Sequence, residues 1–337
     1  MRNKKFNAVI VGCGSVAPVH AEAIINAESA KLYGACDTDG ARLSGFSGRY
    51  NIKDFNSLND VLNDANVDVV HICTPHYLHK DMILQCMESG KEIVAEKPVA
   101  ITIEDLRLLY GAWQNTNSRI MSVLQNRLNP CVLKMKEMVS GNMFGKLLGL
   151  RGNLYWRRDQ SYYSKDGWRG KRATEGGGLV INQAIHMLDM LDYLGGGAKE
   201  IKGGFDTRLL DIEVEDTAEA TLYFEDDVRG HFFATNTYGR DEPYEITLTF
   251  ERETFRYVNK KLFDGGFNLI AEDENGQYGK SCWGNSHRTI IDKFYSSLAG
   301  RSADYPSLRD GLRAAELALG LYESAKTGKK YKMEIDI

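Results

Sequence analysis

The sequence predicts an α/β protein: an N-terminal doubly wound parallel sheet, then an α+β domain with a large open, mostly antiparallel sheet. Three observations carry that expectation. The apolar run Ala8-Val9-Ile10-Val11 leads straight into Gly12-Cys13-Gly14 and then into a helical pattern from Pro18. Strand-length apolar runs alternate with helical segments as far as Leu124, the pattern of βαβ units whose helices cover both faces of a parallel sheet. Past Leu194, strands follow one another without helices. The segment 217–224 alternates so that Ala218, Ala220, Leu222 and Phe224 share one face, as an antiparallel sheet with a covered and an open side requires. A chain of 337 residues can bury two cores, and the change of rhythm near Asn126 puts the expected domains at 1–124 and 125–337.

In the opening turn Gly12 permits a sharp reversal, Gly14 keeps side chains out of the way of an approaching ligand, and Ala17 lets helix and strand pack closely. A strand, a G-x-G-x-x-A turn and a helix in this order form a dinucleotide-binding fingerprint, with helix-start N–H groups facing the pyrophosphate. The next strand, 31–36, ends in Asp37, whose carboxylate can accept both ribose hydroxyls of an adenosine and would repel a 2′-phosphate. NAD is therefore favoured over NADP, although Arg42 in the same loop is a residue that can accommodate a phosphate. Helices are expected over 58–62, 79–89 and 103–115, and strands over 67–73, 92–96 and 120–124. The second half should hold helices over 131–140 and 308–326, one long helix over 179–194, and strands over 147–155, 217–224, 229–235 and 245–250.

Composition narrows the classes. A formal net charge of −4 argues against a general nucleic-acid binder, and no apolar run approaches the ~20 residues of a membrane span. The first residues carry positive charge but lead directly into a strand, without a cleavable signal pattern. Cys13, Cys36, Cys73, Cys86, Cys131 and Cys282 form no C-x-x-C pair, which reads as reduced core thiols in a cytoplasmic protein with no structural metal site.

Ligands of open parallel sheets bind beyond the carboxyl ends of the strands. The strand ends here carry Thr74-Pro75-His76-Tyr77-Leu78-His79 and Glu96-Lys97-Pro98. Pro98 keeps Lys97 extended, and a fixed ammonium beside a nicotinamide stabilises the alkoxide character of an alcohol losing hydride. Farther on, Asn182, His186 and Asp189 share one helical stripe at i, i+4 and i+7, after the glycine run Gly176-Gly177-Gly178, which reads as flexible. An imidazole with an ordinary pKa of ~6.5 suits reversible proton transfer, so His186 is the expected acid/base. His76 and His79 are expected to shape the cofactor pocket, Glu96 to partner Lys97 or touch the cofactor, and Asp189 to be structural.

The segment 155–172 has the most unusual composition in the chain, with six basic residues among five aromatics. Aromatic faces match the apolar faces of sugar rings and arginines match their hydroxyls, so a carbohydrate pocket is expected, with Trp168 and Arg169 as contacts. A solvated or subunit-contact loop is the plain alternative.

Taken together, Gly12-Cys13-Gly14 with Ala17, Thr74-Pro75, Glu96-Lys97-Pro98, the glycine run leading to Asn182 and His186, and the tail Tyr322-Glu323-Ser324-Ala325-Lys326-Thr327-Gly328 resemble the Gfo/Idh/MocA oxidoreductase family. The resemblance spans the chain. It implies a Rossmann domain, an α/β domain with an open sheet, NAD(P)-dependent oxidation or reduction of a sugar, inositol or related polyol, and a homodimer or homotetramer. Family roles fall on Lys97 and His186 as the catalytic pair. The implied cofactor set is Gly12, Cys13, Gly14, Ser15, Val16, Asp37, Thr74, Pro75, His79, Glu96 and Lys97. Substrate contacts are expected at Asn126, Arg127, Trp168, Arg169, Asn182 and His186. Many members carry aspartate four residues before the histidine; here it is Asn182, which cannot act as a base. The motifs look most like the branch oxidising C3 of UDP-N-acetylglucosaminuronate, with related glycoside 3-oxidoreductases close by. The expected activity is hydride transfer from a secondary pyranose hydroxyl to NAD. An inositol or polyol dehydrogenase, and a sugar- or NAD-sensing regulator without turnover, are the other readings.

Overall fold

The computed structural model describes residues 5–165, 167–274 and 286–335. The chain forms two compact units, one comprising Met1–Ala100, Glu104–Gln125 and Gly276–Leu312, the other Ile101–Ile103, Asn126–Asn275 and Arg313–Ile337.

The first unit is a six-stranded, wholly parallel sheet. Its strands are β1 (Phe6–Val11), β2 (Ala30–Cys36), β3 (Lys53–Phe55), β4 (Val69–Ile72), β5 (Glu92–Ala95) and β6 (Ile120–Ser122), in the order β3-β2-β1-β4-β5-β6. The crossovers carry α1 (Ala17–Asn26), α2 (Gly40–Tyr50), α3 (Leu58–Asn63), α4 (His79–Glu88) and α5 (Ile103–Trp113). Order reverses between β1 and β4, so the carboxyl ends of these two strands form the switch point where such sheets take ligands. Gly12 makes that point possible. Its φ is +93°, its N–H bonds the Cys36 carbonyl at 2.8 Å, and a Cβ there would stand 2.7 Å from the Cys73 carbonyl oxygen.

The second unit opens with α6 (Pro130–Ser140) and β7 (Leu147–Tyr155). It continues through α7 (Gln160–Ser164), α8 (Arg172–Glu175), α9 (Leu179–Asn182) and α10 (Ile185–Gly195). The strands β8 (Glu200–Asp206), β9 (Thr217–Tyr223), β10 (Arg229–Thr235), β11 (Glu245–Phe250), β12 (Thr254–Val258), β13 (Lys261–Phe263) and β14 (Leu269–Glu272) follow. Farther along the chain, α11 (Ser286–Leu298) falls in the first unit, and α12 (Leu308–Thr327), from Arg313 on, and β15 (Tyr331–Lys332) fall in the second. The sheet has nine strands in the order β14-β13-β12-β11-β7-β10-β9-β8-β15, antiparallel except where β10 runs parallel to β7. The alternation of β9 works as its pattern requires: Ala218, Ala220 and Leu222 are buried, while Glu219 is exposed.

Two differences from the sequence reading concern α11 and the glycine run. Helix α11 belongs with the first unit, not with the residues that precede it. It packs on α1, and Arg301 just beyond it bonds Glu28 and Ser29 at 2.8 Å each. The run Gly176-Gly177-Gly178 is tightly packed rather than flexible. Gly176 has φ +87° and faces Ile101, a side chain at Gly177 would overlap the Tyr322 ring, and one at Gly178 would overlap the Glu215 carbonyl oxygen. A backbone carbonyl cannot swing aside as a flexible side chain can. Gly178→Ala is therefore expected to cost about 1–3 kcal/mol, measured by urea unfolding of the whole chain. A loss under about 0.5 kcal/mol would show that the loop yields.

Candidate active site

In the first unit the glycine turn is fastened to the second strand through Asp37. One carboxylate oxygen accepts the Cys13 N–H at 2.8 Å, and the other accepts the Asp39 N–H at 2.8 Å. The Asp37 carboxylate is only 5% exposed, and Arg42, half-exposed, reaches it at 3.5 Å and Asp39 at 3.4 Å. Helix α1 starts at Val16 without a side-chain cap, with Pro18 in its first turn. A Cβ at Gly14 would meet nothing within 4 Å. An open glycine in the turn and a carboxylate at the second strand end are features a dinucleotide needs, so the residues present fit one.

The strand-end segments are braced from within. The Lys97–Pro98 peptide is cis. His79 lies between two backbone carbonyls, Nδ1 at 2.7 Å from Pro98 and Nε2 at 2.8 Å from Thr74. Burial pushes His79 below the usual imidazole value, and a neutral ring carries one N–H, so it donates to one of the two carbonyls while lying buried between the Thr74 and Pro98 segments. The Thr74 hydroxyl meets the Met82 sulfur at 3.5 Å, and Lys97 is part-exposed.

Behind Lys97 lies a buried chain that sequence reasoning missed. Glu96 Oε1 is 3.0 Å from His20 Nε2, His20 Nδ1 is 2.9 Å from His71 Nδ1, and His71 Nε2 is 2.8 Å from the Tyr295 hydroxyl. A carboxylate only accepts, so His20 donates through Nε2. With both rings neutral, His71 then donates to His20 and Tyr295 donates to His71. Every bond runs toward Glu96, whose other oxygen takes the Lys97 backbone N–H at 3.3 Å. Burial pushes the Glu96 carboxyl up, but the hydrogen bond donated by His20, with Lys97 as a lesser influence, outweighs it and holds the group down at about 2. Burial drives His71 well below the usual imidazole value and His287 down to about 4, with His20 as a further lowering influence on both. The available signal was a histidine in the otherwise apolar strand Val69-Val70-His71-Ile72, where it needs a partner.

In the second unit the expected single helix 179–194 is two, broken at Gln183 and Ala184, whose φ of −90° leaves the helical mean at both positions. Asn182 ends the first piece and His186 lies in the first turn of the second, so their spacing spans the break. His186 is part-exposed and Asn182 is 9% exposed. Asn182 Nδ2 donates to Glu175 Oε1 at 2.6 Å, and Glu175 Oε2 accepts the Gly170 N–H at 2.5 Å. Burial lifts the Glu175 carboxyl to about 7, against the pull of these bonds and with Glu215 adding to the rise. Glu215 accepts the Gly178 N–H at 2.9 Å and the Val180 N–H at 2.8 Å, so it caps α9. Tyr322 Oη donates to it at 2.7 Å.

Arg127, expected on the substrate, is instead buried on Asp189: Nη2 to Oδ1 is 2.6 Å, and Nε lies 3.0 and 3.1 Å from the two oxygens. The bidentate pair engages the guanidinium and gives Asp189 the structural part expected of it. Asn126 is buried, and its side-chain oxygen has no hydrogen-bond partner among the described residues. Within 155–172, the Arg169 guanidinium lies 4.5 Å from the Trp168 ring and 5.0 Å from that of Tyr162, and Tyr162 Oη accepts from Gln183 at 2.9 Å. The loop is therefore tied to the helix pair through Gln183 and through the Glu175–Asn182 contact. Cys13, Cys36, Cys73, Cys86 and Cys131 are free and buried; burial pushes Cys13 and Cys86 up to about 12, so these thiols are not nucleophiles near neutrality. Cys282 and Asp166 lie outside the described residues.

Comparison with known proteins accords with this arrangement. Residues 6–123 match the oxidoreductase family with an NAD-binding Rossmann fold, and residues 132–256 match the GFO/IDH/MocA C-terminal domain. The chain belongs to the Gfo/Idh/MocA oxidoreductase family, and its first unit is the NAD-binding Rossmann domain. The chain is 29% identical to the WlbA dehydrogenase of Bordetella pertussis, solved in complex with NADH and UDP-GlcNAcA. That likeness covers 99% of this chain and 100% of the other, with a TM-score of 0.87. It is 25% identical to levoglucosan dehydrogenase of Pseudarthrobacter phenanthrenivorans over 79% of this chain and 80% of that protein. It is 24% identical to myo-inositol 2-dehydrogenase of Thermotoga maritima over 96% and 98%. No helix among the described residues is long and apolar enough to cross a membrane.

The buried histidines give a testable acid response. A histidine whose folded pKa lies below its unfolded value contributes stability that is whole above about pH 6.5 and lost as pH falls through that value. Between pH 7 and pH 5, wild-type protein should lose about 1–2 kcal/mol more than His287→Gln, read from urea unfolding at the two pH values. Equal losses would mean that His287 protonates as readily folded as unfolded.

Proposed function

We propose that the protein oxidises a secondary hydroxyl of a pyranose, as a free sugar, glycoside or nucleotide sugar and at C3, passing hydride to NAD. The observation that carries this reading lies in the second unit. A layer of Arg169, Trp168 and Tyr162 is fastened, through Gln183 and Glu175, to the helix pair bearing Asn182 and His186. Flat apolar faces beside guanidinium and amide donors match a sugar ring and its hydroxyls. The likeness to a dehydrogenase crystallised with UDP-GlcNAcA and to levoglucosan dehydrogenase supports it. Basic residues in the loop suit an anionic sugar.

Gly12, Cys13, Gly14, Ser15, Val16, Asp37, Thr74, Pro75 and Glu96 would hold NAD, which would supply the hydride acceptor. His186 takes the hydroxyl proton as the carbon gives up its hydride, and the Lys97 ammonium stabilises the charge that builds on the oxygen. Asn182, Asn126, Trp168 and Arg169 hold the sugar. Replacing Lys97 or His186 with alanine should lower kcat by about 10²-fold or more, with NAD binding retained. The test is a panel of free sugars, glycosides and UDP-sugars with NAD and a keto-acid acceptor, products being read by mass. Full turnover in both variants would remove these assignments, and no oxidised product from any member would remove the activity.

We also propose that the nine-stranded sheet carries self-association into a homodimer or homotetramer. Leu148 on β7 is 52% exposed, and Leu269 and Ile270 on β14 are exposed as well, large apolar residues that a partner copy would cover. Sedimentation at micromolar concentration should show more than one copy; a monomer there would refute it.

A further inference from the structure

A guanidinium carries five N–H groups and keeps its charge at any working pH, so what it offers a ligand depends on which of those groups the protein already uses. The layer of Trp168, Arg169 and Tyr162 continues past the tyrosine. The Arg158 guanidinium lies 5.6 Å from the Tyr162 ring and 5.0 Å from the Trp156 ring, so two arginines stand against one tyrosine and each also meets a tryptophan. Arg158 is held from behind. Its Nη1 donates to the Arg157 carbonyl at 2.6 Å and to the two Asp241 oxygens at 3.0 and 3.3 Å, while its Nε is buried without a partner. Asp241 stands in the connection between β10 and β11, and the main chain sets its position. Its carboxylate accepts the Arg157 backbone N–H at 2.7 Å, the Gly239 carbonyl accepts from Arg157 Nη1 at 3.2 Å, and the Tyr238 N–H meets the Trp156 carbonyl at 3.1 Å. The Arg158 side chain is 11% exposed and that of Asp241 60%.

We propose that Asp241 is a specificity-determining residue: by occupying Arg158 it holds down the preference of this layer for an anionic sugar, a uronate or a sugar phosphate, over the neutral one. The proposal rests on the reading of the layer as the place where the sugar docks, and deepens it. An anionic substituent that reaches Arg158 competes with Asp241 for the same guanidinium and is repelled by its carboxylate. A neutral hydroxyl needs only one N–H and meets no such repulsion. Two like charges ~4 Å apart in water-like surroundings weaken an affinity by about fivefold. The carboxylate therefore discriminates by opposing one class of ligand rather than by attracting the other. Because an ion pair with an exposed partner contributes little to folding, its charge can be removed without loss of the fold.

Asp241→Asn tests this with a group of the same shape. The amide oxygen still accepts the Arg157 N–H, but the side chain no longer carries a charge to set against the guanidinium. The probes are glucose, glucuronate and glucose 6-phosphate, which share one ring and differ in charge. In D241N the kcat/KM of each anionic form relative to glucose should rise about fivefold at low ionic strength, through KM rather than kcat, and most of the gain should vanish at 0.5 M salt. The larger of the two gains tells whether a carboxylate or a phosphate meets Arg158. Adding Arg158→Gln should erase the gain, because the charge that D241N releases is then absent. A merely structural role of the β10–β11 connection would move the neutral and anionic KM values alike, and salt would not reverse it. An unchanged ratio in D241N, or a gain that survives R158Q, would overturn the proposal. If none of the three is oxidised, the activity reading is in question separately, and the same ratios are read as dissociation constants from quenching of tryptophan fluorescence. Wild-type ratios in D241N then overturn this proposal on its own, and no quenching by any of the three sugars removes it together with the layer as a sugar site.

Discussion

Each half of this chain carries its chemistry beside a carboxylate taken out of water, and much of the local structure follows from keeping those carboxylates satisfied. An isolated ionised carboxylate in a dry interior is costly enough that it must be paired, hydrogen-bonded or neutralised. In the first unit the answer is a directed chain of Tyr295, His71 and His20 that ends on Glu96. It joins β4, α1 and α11 at their buried faces, which explains why a helix as late as Ser286–Leu298 belongs with the N-terminal sheet. In the second unit Glu215 takes the N–H groups at the start of α9 and the Tyr322 hydroxyl, and its own carbonyl leaves no space for a side chain at residue 178. The glycine run is thus a consequence of a capped, buried carboxylate, and the helix it introduces is fixed in place.

The parallel sheet was legible because its central strands are buried on both faces. Ala8 to Val11 and Val69 to Ile72 are buried throughout, so their apolar runs are continuous, and glycine had to stand where β1 passes against the Cys73 carbonyl. The alternation of β9 was legible for the complementary reason, one face being covered and the other not. What escaped notice was either too short or too distant. Strand β3 has three residues, below the length at which a period shows. The break at Gln183–Ala184 is a local change of dihedral angle inside an unbroken apolar pattern, which periodicity does not register.

Side-chain partners are a separate matter. Arg127 had the chemistry of a substrate contact, yet Asp189 meets it bidentately in a buried site, and no spacing rule connects the two residues. His79 had the chemistry of a ligand contact, yet two carbonyls engage its ring. In both cases the residue type was read correctly as one needing a partner; the sequence does not say that the partner is internal. Lys97 and His186, by contrast, are the part-exposed members of their segments.

The two units treat their carboxylates in opposite ways, and the neighbours explain the difference. Burial alone would raise both Glu96 and Glu175. Glu96 stands among His20, His287 and Lys97 and is held at about 2, an anion over the whole working range. Burial lifts Glu175 to about 7, with the Asn182 and Gly170 hydrogen bonds pulling the other way and Glu215 adding to the rise. A permanent anion suits the first unit, because the Glu96 carboxylate accepts the Lys97 backbone N–H and fixes the strand end. Two buried glutamates are thus kept in different states: at Glu96 the hydrogen bond from His20 overcomes the effect of burial, and at Glu175 burial prevails over its hydrogen bonds.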